Sequence, residues 1–237
     1  MVIFKNKKTL ENLITGFYFA LALIEVTAEL FRYKPLLFLL KPLLTVLIMI
    51  LYWNISNQRN KLFFATLFFS LVTSVFFIPN TEKMLFFALI ALLIHRLLMI
   101  YYIVKLAKLK DYIPLLIAIV PFLFVFFYLL SISEGLTSKS YGILILQNIL
   151  ISILGGISLS DYVMNDSKKN PWLLIFGLFS VMQYFIVFIE KYYLSNLAPT
   201  IFRPLAMLLN ITVYYAFYRF VIDVENSDLI SNTQKIK

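Results

Sequence analysis

Six polar residues of this chain are candidates for catalysis or ligand binding, and they lie within or at the edge of long apolar stretches. They are the acids Glu25, Glu29 and Asp161, the bases Lys41 and His95, and the amide Gln183. Hydrocarbon offers no hydrogen-bonding partner, so a polar group there is costly unless another residue supplies one, and such groups are the first place to look for function. Carboxyl, imidazole and ammonium groups are also the ones that proteins use for proton transfer.

Glu25 and Glu29 are four residues apart, so they share one face of the first helix. Two carboxyl groups in this arrangement could accept hydrogen bonds from a buried lysine or, if one is protonated, act as a general acid. The alternative is that Glu29 lies at the headgroup boundary and is only solvated. We predict Glu29 as a catalytic residue and Glu25 as a substrate-binding residue.

Lys41 lies about six residues, or roughly 9 Å of helix rise, inside the second apolar stretch, and Pro42 follows it. An ammonium group at this depth favours a nearby carboxylate, which Glu29 and Glu25 offer on the neighbouring helix. One interpretation is an ion pair that joins the first two helices. The other is a contact with the phosphate of a lipid headgroup, which makes Lys41 a predicted substrate-binding residue.

The fourth stretch carries His95 and Arg96 near its middle. Consecutive helical residues point about 100° apart, so these two face different neighbours. His95 is either a hydrogen-bonded packing residue or a catalytic one, and we include it among the catalytic candidates. Gln183 in the seventh stretch and Asn210 in the eighth can donate and accept, so we expect an interhelical hydrogen bond for each, with a substrate contact as the alternative. Gln183 is the predicted substrate-binding amide.

The sixth stretch presents two different polar faces. Asn148, Ser152, Gly156 and Ser160 follow one another at intervals of four, and such a ridge of small side chains lets another helix approach closely. Asp161 lies on a different face near the end of the stretch. It is a candidate catalytic acid, unless it is only hydrated at the cytoplasmic end.

The elements that position these residues are predicted to be membrane-spanning helices. The chain has 237 residues, of which 62% are hydrophobic and 14% charged, whereas soluble domains are roughly 45–50% apolar and about 25% charged. With 24 Phe and only 6 Gly, the composition favours long uninterrupted helices over a strand-rich barrel. We therefore predict an all-α polytopic transmembrane bundle of about eight spans.

Crossing a bilayer takes about 20 apolar residues, and eight stretches of this kind can be drawn. They cover residues 11–31, 35–53, 61–79, 84–104, 112–133, 141–164, 171–190 and 200–222. The connecting segments are too short for a soluble domain. The polar residues 223–237 are predicted to form a loose cytoplasmic tail.

Lysine and arginine distribute unequally between the two sides of this topology. Cytoplasmic segments carry an excess of both, which places both termini in the cytoplasm, as an even number of spans requires. We expect an integral protein of a bacterial inner membrane. One side has thirteen basic residues, namely Lys5, Lys7, Lys8, Arg59, Lys61, Lys105, Lys108, Lys110, Lys168, Lys169, Arg219, Lys235 and Lys237. The other has six, namely Arg32, Lys34, Lys83, Lys139, Lys191 and Arg203.

Several classes of function are excluded or disfavoured by composition. The absence of Cys removes disulfides, thiolate metal sites and a Cys nucleophile, and a single His rules out a His-rich metal centre. The net charge of +9 comes without a basic run interleaved with aromatics, so nucleic acid is not expected and anionic lipid is the better partner. We predict no cofactor and a membrane lipid as ligand, and the oligomeric state stays open.

The order of these residues resembles the YhhN family of eight-helix membrane proteins, which includes the lysoplasmalogenases. The matching pieces are Lys41-Pro42-Leu43, His95 within ALIALLIHRLLMIYYI, Ser160-Asp161 within GGISLSDYVM, and Gln183 within FSVMQYFIVF. The resemblance covers about residues 25–220. The family usually has Gly-Asp on its third helix, where this chain has Thr73-Ser74.

The resemblance implies hydrolysis of the vinyl ether of a lysoplasmalogen to a fatty aldehyde and a glycerophospho-alcohol. Such a reaction needs an acid, a stabiliser for an oxocarbenium-like cation and a base that delivers water, a task for paired carboxylates. Asp161 would be the remaining family acid, Glu29 or Glu25 a substitute, and Lys41 a phosphate anchor. Thr73-Ser74 supplies neither the charge nor the acid strength of the missing aspartate.

The predicted spans place Asp161 and Ser74 at different depths. By helix rise, Asp161 falls about 30 Å into its span, near the cytoplasmic face, whereas Ser74 falls in the outer third. Either the sixth span begins later than drawn or these two positions do not form one site.

Two further hypotheses remain open beside the enzyme. The first is a protein that binds or transports a lipid or an ion, with Glu29, His95 and Asp161 at successive depths. The second is a purely structural membrane partner.

Overall fold

The computed structural model describes residues 2–31, 33–79, 81–107, 112–133, 138–164, 171–192 and 201–235. Eight helices and no strand make up this part of the chain. They are α1 Val2–Leu30, α2 Lys34–Ile55, α3 Lys61–Phe77, α4 Glu82–Ala107, α5 Ile113–Ser131, α6 Ser138–Met164, α7 Trp172–Tyr192 and α8 Phe202–Lys235. Of the charges used to predict the topology, Arg32, Lys108, Lys110, Lys168, Lys169 and Lys237 lie outside the described residues.

The prediction of a polytopic helical membrane protein is confirmed. Seven of the helices in the described ranges are long and apolar enough to cross a bilayer, and α3, with 17 residues, is a shorter apolar helix. It lies at the lower end of the roughly 17–25 residues that spanning helices use.

One boundary was wrong. Helix α8 does not stop near residue 222 but continues to Lys235, so most of the segment predicted as a loose tail is helical. The reason is tertiary packing. The Glu225 side chain, inside that segment, is 3% exposed and accepts hydrogen bonds from Tyr52 of α2 and from Ser56, the residue that follows α2.

The helices pack as a closed ring with α8 turned inward. Neighbouring pairs run in the order α1, α2, α3, α4, α6, α7, α8 and back to α1, while α8 also contacts α2. Aromatic rings fill the interior around Phe217, which stacks on Phe63 at a centroid distance of 5.3 Å and also contacts Phe176 and Tyr102. The core therefore sits between α8 and the inner faces of α2, α3, α4 and α7.

Helix α5 lies outside the ring and packs mainly on α6. The small-residue ridge of α6 makes this contact close, as the sequence predicted. A Cβ atom added at Gly156 would come within 3.2 Å of the Ile119 backbone nitrogen, so only glycine fits there. The other face of α5, including Leu116, Ile117 and Phe124, is exposed, as expected of a surface in contact with lipid.

The two ends of the bundle are chemically different and need names. The distal end is where α1, α3 and α7 end and where α2 and α8 begin. The proximal end is where α1 begins and where α2 and α6 end. The alternation of helix direction fixes this assignment without reference to the sides of a membrane.

Candidate functional site

A small polar cavity lies inside the bundle towards the distal end. Its volume is about 40 Å³, which is room for a few water molecules. We call it the distal cavity, and it is walled by α1, α2, α3 and α8. Its lining residues are Tyr18, Glu25, Lys41, Leu44, Thr45, Ser74, Asn210, Ile211 and Tyr214.

Helical periodicity explains why these residues meet. Side chains four or seven positions apart lie on one face of a helix. Tyr18 and Glu25 are seven apart on α1, and Asn210 and Tyr214 are four apart on α8. Each helix therefore contributes a short polar stripe within an otherwise apolar surface, and the stripes converge where the helices pack.

Glu25 is the most unusual residue of this wall. Its side chain is only 5% exposed. No hydrogen bond or close ion pair joins its carboxyl group to another residue of the described ranges, and the Lys41 ammonium shares the cavity wall with it. A buried carboxyl group without a partner is costly. The group lines the cavity, so a water molecule or a ligand inside the cavity can bond to it.

Next to the cavity lie four charged side chains that we call the distal charge cluster: Glu29, Lys41, Glu190 and Arg203. The Lys41 Nζ atom lies 3.9 Å from Glu29 Oε2, and Arg203 Nη1 lies 4.0 Å from Glu29 Oε1. Arg203 Nε also donates to Glu190 Oε1 at 2.6 Å. The predicted ion pair between Lys41 and the first helix is confirmed, with Glu29 as the acid. Glu29 is buried rather than solvated, at 8% exposure.

Hydrogen bonds order the remaining cavity wall. Tyr18 donates its hydroxyl proton to the Ile211 carbonyl oxygen over 2.9 Å, and the hydroxyl groups of Tyr214 and Ser70 bond to each other. Gln183 donates its side-chain amide to Asn210 Oδ1 over 2.9 Å. The interhelical hydrogen bonds expected for Gln183 and for Asn210 are thus confirmed, and the structure shows that the two residues bond to each other. Gln183 lies one contact away from the cavity, where it orients Asn210.

His95 and Arg96 lie in the middle of the bundle and do not line the distal cavity. His95 Nδ1 is 2.8 Å from the Thr66 carbonyl oxygen, and its ring meets Tyr214 edge to face at 6.4 Å. The Arg96 guanidinium bonds to the Gln147 side chain and lies 4.3 Å from the centre of the Tyr184 ring. His95 thus has the hydrogen-bonded packing role that the sequence left open, and its ring contact with Tyr214 connects it to the cavity wall.

Asp161 and Ser74 lie at opposite ends of the molecule. Ser74 lines the distal cavity, whereas Asp161 is three residues from the proximal end of α6. Helix α6 begins earlier than the predicted span, not later, so the two positions do not form one site. The carboxyl group that shares the cavity with Ser74 is Glu25 from α1.

Sequence reasoning missed Tyr18, Tyr214 and Arg203. The two tyrosines could have been found, since each lies at helical spacing from a polar residue already chosen, Glu25 and Asn210. Arg203 could not, because it was counted only as a charge in a loop, and nothing in the sequence shows that α8 begins beside Glu29. In the described part of the chain no three His, Cys, Asp or Glu side chains come together in a way that could bind a metal ion.

Comparisons of the chain with known proteins find no match. No protein-family model matches the chain. No curated protein and no solved structure matches it either.

Proposed function

We propose that this chain is a YhhN-type integral membrane protein that binds a lysophospholipid with only its vinyl ether at the distal cavity and hydrolyses that bond. The observation that carries the proposal is Glu25, a buried and unpartnered carboxyl group that faces a polar cavity shared with Lys41 and Ser74. Desolvated acids in clefts are typical of sites for proton transfer. Ser74 stands where the family has aspartate, so Glu25 supplies the acid from the opposite wall.

In the proposed reaction Glu25 donates a proton to the outer carbon of the vinyl ether. The resulting oxocarbenium ion takes up one water molecule at the carbon next to the ether oxygen, and the water proton returns to Glu25. The bond between the hemiacetal carbon and the glycerol oxygen then breaks: Glu25 gives its proton to the departing glycerol oxygen, and the hemiacetal hydroxyl returns its own proton to Glu25. The products are a fatty aldehyde and a glycerophospho-alcohol. Carboxylate charge close to the cation lowers the barrier by electrostatic stabilisation.

The proposed membrane orientation places the distal end outside the cytoplasm. It is supported by the excess of lysine and arginine in segments of the proximal side, including Lys7, Arg59 and Lys61. A bacterial inner membrane with both termini cytoplasmic is part of the same proposal. Cysteines introduced at Asn57 and Phe31, in the otherwise Cys-free chain, would label from opposite sides of intact cells.

The test is aldehyde release from a lysoplasmalogen by the purified full-length protein in detergent. Glu25→Gln should lower the rate by about 100-fold or more, the usual contribution of a general acid. Glu11→Gln, at the proximal end, is the matched control and should leave the rate unchanged. Ser74→Asp, which restores the family residue, should raise it. No aldehyde from the wild type and from Ser74→Asp would end the enzymatic proposal.

A second candidate is non-catalytic binding of the same lipid. It is favoured by one observation: Glu25 is the single carboxyl group among the cavity-lining residues, whereas the reaction is best served by two. A protein that retains lysophosphatidylethanolamine, releases no aldehyde from the plasmenyl form and loses binding in Glu25→Gln would support this candidate over the hydrolase.

A further inference from the structure

In the distal charge cluster, the cations Lys41 and Arg203 both contact the carboxylate of Glu29, but neither contact is close. Glu29 lies between Lys41 and Arg203, at 3.9 and 4.0 Å. Hydrogen bonds between charged nitrogen and oxygen atoms are normally about 2.7–2.9 Å long. Both contacts are therefore ion pairs without a hydrogen bond, and neither cation has its donors satisfied by Glu29.

Arg203 is only partly used by the protein. Its Nε atom donates to Glu190 at 2.6 Å, which fixes the direction of the guanidinium, while 60% of its side chain remains exposed. A guanidinium presents five donors in a planar fork. The fixed and half-open fork of Arg203 thus contacts one oxygen of the Glu29 carboxylate while Lys41, which lines the cavity, contacts the other.

We infer that Lys41 and Arg203 form a phosphate-binding site, and that Glu29 occupies it in the absence of ligand. A phosphate group has more acceptor oxygens than a carboxylate and matches the geometry of a guanidinium fork. It therefore bonds to both cations where Glu29 bonds to neither. The contacts of the buried Glu29 are long and its two cations are partly exposed, at 24% and 60%, so these ion pairs stabilise little and can give way to phosphate.

Glu29 is in this view an internal competitor rather than a catalytic residue. Its carboxylate neutralises the two cations while the site is empty, and it lowers phosphate affinity because it must be displaced. Glu190 has the opposite effect, since it orients Arg203 without occupying the space between the two cations. The inference deepens the proposed function by naming how the headgroup binds, and it rests on that function only for the choice of the distal end.

The experiment measures binding to the full chain in detergent, by the shift in thermal unfolding and by calorimetry. Inorganic phosphate, lysophosphatidylethanolamine and an uncharged monoacylglycerol are the three probes. Glu29→Gln should bind the two phosphate-bearing probes several-fold to about tenfold more tightly, and Arg203→Gln about tenfold more weakly. Arg203→Lys, which keeps the charge but loses the fork, should fall between the wild type and Arg203→Gln.

Arg59→Gln at the proximal end is the matched control for loss of an exposed arginine and should bind like the wild type. Weaker phosphate binding in Glu29→Gln would overturn the inference, and so would equal binding by Arg203→Gln and the wild type. Melting temperatures without ligand show whether each variant is folded, and Arg203→Lys keeps the test valid if Arg203→Gln is not.

The probes also separate the source of the phosphate. Lysophosphatidylethanolamine binding far more tightly than inorganic phosphate identifies a lipid headgroup, and equal affinities identify a site for free phosphate. Monoacylglycerol binding as tightly as the lysophospholipid would overturn the inference. Phosphate binding that follows Glu29 and Arg203, without aldehyde release, would leave the inference standing while the hydrolase proposal fails.

Discussion

The two ends of the bundle both contain buried glutamates, but the hydrogen-bonding partners of these glutamates differ. At the proximal end, Glu225 accepts hydrogen bonds from the Tyr52 hydroxyl at 2.5 Å and from the Ser56 hydroxyl at 2.7 Å. At the distal end, Glu25 has no partner in the described residues and faces a cavity, while Glu29 has cations only at 3.9 and 4.0 Å.

The difference separates a carboxylate that is hydrogen-bonded within the protein from one that faces a cavity. Tyr52 also accepts from the Asn60 backbone nitrogen, and Ser56 from that of Arg59, both at 2.9 Å. We call these residues the Glu225 cluster, and it ties the α2–α3 connection to α8. Each Glu225 oxygen accepts from one of the two hydroxyl groups, and each hydroxyl oxygen accepts in turn from a backbone N–H group. At the distal end, the described residues give Glu25 no hydrogen bond and give Lys41 only a long ion pair with Glu29, which costs stability.

The largest expected effect is at the Glu225 cluster. Glu225→Ala should lower the free energy of unfolding by about 3 kcal/mol, because it leaves two buried hydroxyl donors without their acceptor and each hydrogen bond to a charged group is worth about 1.5–3 kcal/mol. Reversible unfolding in mixed micelles measures it. Asn226→Ala, at the exposed neighbouring position, is the control. A Glu225→Ala protein as stable as the control would remove the distinction between the two ends.

A smaller effect is expected for the distal ion pair. Lys41→Met should lower the free energy of unfolding by about 1 kcal/mol or less, since the Lys41–Glu29 contact is long and Lys41 is 24% exposed. High salt should reduce this difference further and leave the Glu225→Ala effect unchanged, because salt screens accessible charges more than buried ones. Lys61→Met at the proximal end is the control. A loss as large as that of Glu225→Ala would mean that Lys41 is primarily structural.

The smallest effect, with the opposite sign, is expected for Glu25. Glu25→Gln should leave stability unchanged or raise it by up to about 1 kcal/mol, because the desolvation of an unpartnered carboxyl group is relieved. Glu225→Gln is the matched substitution at the other end and should be destabilising. Thermal unfolding of the two variants side by side gives the comparison. If Glu25→Gln were the less stable of the two, Glu25 would have a structural partner and the proposed site would lose its central residue.

Much of the local architecture follows from sequence patterns. Apolar stretches of about 20 residues locate the helices. The predicted Lys41–Glu29 pair is confirmed, and the interhelical hydrogen bonds expected for Gln183 and for Asn210 prove to be one bond between them, on adjacent helices. Such pairs are predictable because a polar group in an apolar bundle has few partners to choose from.

Glu225 shows where this reasoning stops. It lies in a polar segment that reads as a tail, and only its burial against Tyr52 and Ser56 reveals a structural role. Arg203 is a similar case, since its sequence neighbours show nothing of Glu29 or Glu190. In both cases the decisive contact joins residues of different helices, and the packing geometry rather than the local pattern selects it.

The sequence by itself determined that this chain is a polytopic helical membrane protein and which polar residues its helices carry, because the apolar length needed to cross a bilayer and the scarcity of charge are written along the chain. Only the tertiary structure decided which of those residues meet. The ring of helices brings Glu25, Lys41 and Ser74 to one cavity and leaves Asp161 near the other end, because the lateral order and rotation of helices depend on the packing of many side chains at once.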